Sequence, residues 1–188
     1  MRTLLFFLSL SLSLAANALQ WQGYSWDEEG PFLLEKVREA VKLTPSGKIL
    51  MGKIEKIPLY STESRLALSY GSQPGIAGFF YDGKIFIDES LSFLACAVTL
   101  YHEAVHALNP ATDLITAIDG EKKAYEGQDR FLKELIELNP AFKSVIEKLV
   151  SKREIFNFPT SEHDLRLILT RGMKMPKEDV DAYFNSRR

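Results

Sequence analysis

The chain has 188 residues, 46% of them hydrophobic, with 23 basic and 25 acidic side chains and a net charge of -2. That length is ample for a sizeable core, and the basic residues are scattered among acidic ones, which leaves no electrostatic footprint for nucleic acid. The single cysteine, Cys96, rules out an intramolecular disulfide.

Met1-Arg2-Thr3, an apolar run over residues 4–14 and an A-x-A site at Ala16–Ala18 read as a cleaved signal peptide spanning residues 1–18. The expectation is a secreted or periplasmic protein of residues 19–188, a single domain of net charge -3. No later apolar stretch is long enough to span a bilayer, so no stable membrane anchor is expected after cleavage. Trp21–Glu29 reads as an irregular arm that packs its aromatic residues on the domain. Pro31 opens a predicted helix with Val37 and Val41 on its apolar face up to Leu43, and Thr44 caps a second short helix that has Pro45 at its first position.

The character changes at Ile57. Ile57–Tyr60, Leu66–Tyr70, Ile76–Tyr81 and Lys84–Asp88 read as strands. Gly71–Gly75 is a loop and Asp82-Gly83 a strong two-residue hairpin turn. The most apolar run follows, Leu91–Leu108, a predicted buried helix with Ser90 or Ser92 as its cap and Asn109-Pro110 as its stop. Cys96 lies on it as an inert buried thiol. No Lys or Arg falls between Ser90 and Leu108, yet the run holds His102, Glu103 and His106. A buried charge needs a partner.

The spacing names one. His102 and His106 stand at i and i+4, which stacks two imidazoles on one helix face as two ligands to a single ion require, while Glu103 lies about 100° round the helix, placed to take a proton from an activated water. The motif is H-E-A-V-H, and it resembles the HExxH zincin metallopeptidases. Metzincins continue to a glycine and a third histidine, but this chain has Asn109 and Thr112 there, so that branch does not fit.

Two glutamates downstream compete as a third ligand. Glu121 shares a helical stripe with Ile118, Ala124, Tyr125, Gln128, Phe131 and Leu135, whereas Glu126 groups with Arg130, Lys133 and Glu137 on the wet face. Glu121 also opens an E-x-x-A pattern that resembles the second helix of gluzincins, in which a glutamate completes a three-ligand zinc site. Glu126 remains the second candidate, with Asp113 and Asp119 behind it. After a break at Asn139-Pro140 come a helix over Phe142–Val150, a second break at Asn157–Thr160, a helix opened by Ser161-x-x-Asp164 and closed by Gly172, and a last short one from Pro176.

The resemblance implies a small zincin-like α+β fold. N-terminal helices and a small, mostly antiparallel sheet precede the active-site helix, the glutamate-bearing helix and C-terminal helices. It implies an exported zinc peptidase with His102, His106 and Glu121 on Zn²⁺, Glu103 as general base, and Tyr125, His163 or Tyr101 supplying a donor to the oxyanion. It also implies a peptide or protein substrate held along an edge strand, for which the hairpin Ile76–Asp88 is the expected place and Gly75 and Gly78 the points of close backbone approach. The rival reading is an exported interaction module with a structural or vestigial metal site.

Overall fold

The computed structural model describes residues 20–21, 24–62, 77–155, 161–172 and 175–186. The expected signal peptide, the strand over Leu66–Tyr70, the loop over Gly71–Gly75, the first residue of the strand at Ile76 and the break over Asn157–Thr160 lie outside the described residues. Within them the protein is a mixed α+β molecule of seven α-helices and a small three-stranded sheet.

A two-residue pairing of β1 (Gln20–Trp21) with β2 (Tyr24–Ser25) comes first. The arm read as irregular is therefore a short hairpin at its start, and it ends in Trp26, 2% exposed between Phe93 and Phe142. The helix expected from Pro31 begins three residues later, as α1 (Leu34–Val41). Its late start has a physical reason: the Gly30 N–H donates to the Leu91 carbonyl, and a bridge joins Glu29 to Ser92, so this stretch is tied alongside the entry to the central helix. In α2 (Pro45–Lys53) the Thr44 hydroxyl accepts the Gly47 N–H at 3.0 Å, which is the cap the sequence predicts.

Strands β3 (Leu59–Thr62), β4 (Gly78–Tyr81) and β5 (Lys84–Asp88) form a sheet in the order β3-β5-β4. The mostly antiparallel sheet expected from sequence is a mixed one: β4 runs antiparallel to β5, but β3 runs parallel to it. The β4–β5 turn is the predicted one, with Asp82 at φ 48 and Gly83 at φ 72, both in the left-handed region that a two-residue I′ loop demands.

Helix α3 (Phe93–Leu108) is the axle. It touches α1, α2, β4, β5 and the long α4 (Leu114–Leu138), and eleven of its 16 residues are buried. Apolar character on nearly every side of α3 dictates that position. Helix α5 (Phe142–Ser151) closes the main core through Phe142, Val145, Ile146 and Leu149. A second, smaller core forms where α6 (Glu162–Leu167), the π-helical turn Ile168–Gly172 and α7 (Lys177–Asn185) meet Ile118 of α4; its members are Leu165, Leu169, Val180 and Tyr183. No helix among the described residues is long and apolar enough to cross a membrane.

Candidate metal centre

The site lies where α3 and α4 cross beneath β4. Gly127 sets how closely the helices approach: a Cβ there would stand 2.9 Å from the Tyr101 ring and 3.4 Å from Val105. A glycine inside a helix costs about 1 kcal/mol relative to alanine. Here it lets α4 lie against α3 with Glu121 facing the histidine pair.

His102 and His106 point their Nε2 atoms at one spot, 3.1 Å apart. Glu121 spans them, with Oε1 3.0 Å from Nε2 of His106 and Oε2 3.5 Å from Nε2 of His102. These three residues are a group able to hold a metal ion. With one donor atom from each residue the three lie within 4.8 Å of one another, close enough to meet on one ion, since ligands bonded at about 2.0–2.1 Å to a tetrahedral ion stand about 3.3 Å apart. Two imidazoles and one carboxylate are also a familiar donor set for a catalytic zinc.

Charge follows from this crowding. Burial works to raise the Glu121 carboxyl, but hydrogen bonds to His102 and His106 and their positive charge outweigh it and hold the group down at about 2. For His106, burial disfavours the cation, yet the hydrogen bond and charge of Glu121, with the charge of Glu103, leave it above its ordinary value. Glu103 is 8% exposed, and burial drives its carboxyl upward, reinforced by Glu121 and opposed by the histidines and by the Phe80 N–H it accepts. A carboxylate with a raised affinity for a proton, one residue from a histidine able to hold a metal, is suited to general base chemistry.

Tyr125 sets its ring edge-on to His102, centroids 4.8 Å apart at 77°. Burial, together with the charges of Glu121 and Glu103, pushes its phenol up, so it stays a hydrogen-bond donor at neutral pH. Tyr125 lines the cleft above the histidines. The other candidates stand elsewhere. Tyr101 is buried and stacked on Phe131 at 5.1 Å. His163 is exposed in the first turn of α6 and does not line the cleft. Glu126 points to solvent near Lys122, Asp113 caps α4, and Asp119 accepts the Tyr183 hydroxyl. Cys96 is buried with its thiol toward the Asp88 carbonyl, and burial, then Asp88 and Glu154, push it up to about 12.

The cleft over this group has a volume of about 680 Å³ and runs under the whole of β4. Its roof is set by hairpin parity. Tyr81 closes the turn against Lys84, and the Asp88 N–H donates to the Ala77 carbonyl at 2.8 Å, so the bonded pairs are Tyr81, Phe79 and Ala77, while Gly78 and Phe80 turn their main-chain groups away from β5. Among the described residues no strand pairs with β4 on that side. At Gly78 β4 lies tight against α3 and β5: a Cβ would meet Thr99 Cγ2 at 2.5 Å and the Phe86 carbonyl at 2.7 Å.

Sequence reading missed the Phe80 link to Glu103, although counting back from Asp82-Gly83 gives the parity that turns Phe80 outward. It also missed Glu154 and Ile155, which follow α5 and line the cleft, and nothing local in the sequence marks them. No family model, no curated protein and no solved structure matches this chain.

Proposed function

We propose that the protein is an exported zinc-dependent metallopeptidase with a zincin-like site of gluzincin type. One observation carries the reading: His102, His106 and Glu121 converge to within 3.5 Å of one another on two crossing helices, with Glu103 buried beside them and turned to the same cleft. Three protein ligands leave a fourth position for water or substrate, the arrangement of a catalytic zinc and not of a closed structural one. Zinc, when bound, supplies an acidified water and a polarised scissile carbonyl.

The chain's own residues do the rest. Glu103 takes a proton at its carboxylate and passes it to the leaving amine, and the Phe80 N–H favours the charged form of that carboxylate. Tyr125, kept as a phenol and lining the same cleft, is the donor we assign to the oxyanion. The outward main-chain groups of Gly78 and Phe80 offer an extended peptide an edge to pair with, less the one N–H that Glu103 accepts. His163 has no part in this scheme.

The test is elemental analysis of the purified protein beside His102→Ala, followed by digestion of a mixed peptide library. About one zinc per chain, lost in the variant, with zinc-dependent cleavage, is the expected result. A protein that takes up no zinc at neutral pH sinks the proposal and leaves an interaction module with a histidine pair in its core.

A further inference from the structure

The cleft does not end at the metal ligands. It continues along α3 toward that helix's first turn, where its lining includes Val98, Gln128, Ile155 and Glu154. Glu154 is fixed there by a hydrogen bond: its Oε2 accepts the N–H of Ser92, the cap residue of α3, at 2.9 Å. Ser92 precedes His102 by ten residues, which at 1.5 Å per residue is about 15 Å of helix. That separation corresponds to two or three extended peptide residues at about 3.3 Å each, plus one long side chain.

Charge in the cleft is one-sided. Among the described residues no Lys or Arg lines it, whereas Asp82, Glu103, Glu121 and Glu154 do. A divalent ion held by the histidines and Glu121 would offset Glu103 and Glu121, which leaves Asp82 and Glu154 as the other carboxylates of the lining. Glu154 Oε1 also pairs with Lys152 Nζ at 3.6 Å, but that lysine makes its closer contact with Glu29 at 3.2 Å and does not line the cleft. The Glu154 side chain keeps 17% of its surface open, enough to meet a ligand while remaining largely desolvated. Val98 and Ile155 offer apolar walls that suit the methylene stem of a lysine or arginine, whose charged end would then meet the carboxylate.

We infer that this end of the cleft selects a basic side chain, with Glu154 as the residue that determines the preference. The inference deepens the peptidase reading and rests on it: the substrate class is peptides bearing Lys or Arg two or three residues to one side of the scissile bond. The Ser92 N–H holds the selecting carboxylate in place, so the same contact that caps the active-site helix fixes the specificity group relative to the metal ligands.

The experiment scans a single Lys, Leu or Glu through an alanine-rich decapeptide and measures cleavage by the zinc-loaded protein, with anisotropy of the same labelled peptides on Glu103→Ala as the binding arm. Wild type is expected to favour Lys over Leu over Glu at one position. Glu154→Gln keeps an oxygen for the Ser92 N–H, and its fold is checked by circular dichroism; it should lower the Lys-to-Leu ratio about tenfold in both arms. Glu126→Gln, outside the cleft, should leave the ratio at the wild-type value. Equal treatment of the three peptides, an unchanged ratio in Glu154→Gln, or no binding of any peptide overturns the inference. If no peptide is cut but Lys peptides bind preferentially and Glu154→Gln abolishes that preference, the selection of a basic side chain by Glu154 stands, while the peptidase reading falls and with it the placement relative to a scissile bond.

Discussion

At the scale of single residues, Glu103 and Glu121 are two buried carboxylates with opposite electrostatics, and their proposed roles follow from that opposition. Glu121 is held down at about 2 by two imidazoles, which suits the ligand role proposed for it, whereas burial raises Glu103, which suits the proposed proton acceptor. Glu103→Ala should therefore keep its zinc while peptide hydrolysis falls by about 10²–10⁴-fold, checked by elemental analysis beside initial rates. Undiminished hydrolysis in that variant would remove the proposed base. Glu121→Ala should weaken zinc by more than the about 10–100-fold that outer partners of a metal site cost, and Glu126→Ala should leave it unchanged, both read by competition with a chromophoric chelator. Comparable losses in the two variants would mean that Glu121 is not the ligand.

At the scale of elements, the site depends on how closely β4 lies over α3. Gly78→Ala would drive a methyl against Thr99 and the Phe86 carbonyl, a clash of the overpacking kind that costs about 1–3 kcal/mol, and would lift the strand whose Phe80 N–H steadies Glu103. Stability by urea titration and hydrolysis should fall together, and Thr99→Ser in the same chain should restore only part of the loss because the carbonyl remains. Unchanged stability would show that β4 can shift without cost. The elements themselves were largely legible: α3, the Thr44 cap, the Asp82-Gly83 turn and the Ser161 start are written in local residue patterns. So was the inward phase of Glu121, because helical periodicity carries it. What was not legible is non-local. The parallel pairing of β3 with β5 joins residues 26 apart, the late start of α1 follows from a bridge between Glu29 and Ser92, and Glu154 reaches the cleft by capping a helix 62 residues before it.

At the scale of the whole molecule, the three residues able to hold a metal join two helices that between them contact most of the core, so occupancy of the site would be linked to global stability. The linkage has a definite pH sense. His106 and Glu103 both bind protons more tightly in the folded chain than in the unfolded one, so the metal-free fold carries extra protons, and its stability falls as pH rises through their raised values. Glu121 acts in the opposite sense: its contribution is present above its ordinary value and is lost only as pH falls toward about 2, far below that window. Zinc at the proposed site would require a deprotonated His106, so its binding would displace a proton and grow stronger over the pH range in which the metal-free fold weakens. Melting curves at pH 5.5, 6.5, 7.5 and 8.5, with chelator and with zinc, should diverge as pH increases. At about a hundred times the dissociation constant, zinc adds about 2.7 kcal/mol, which for a chain of this size raises Tm by roughly 5–10 °C. Curves that stay parallel across this range would mean that the ion does not compete with the His106 proton, and would move the metal off the histidine pair.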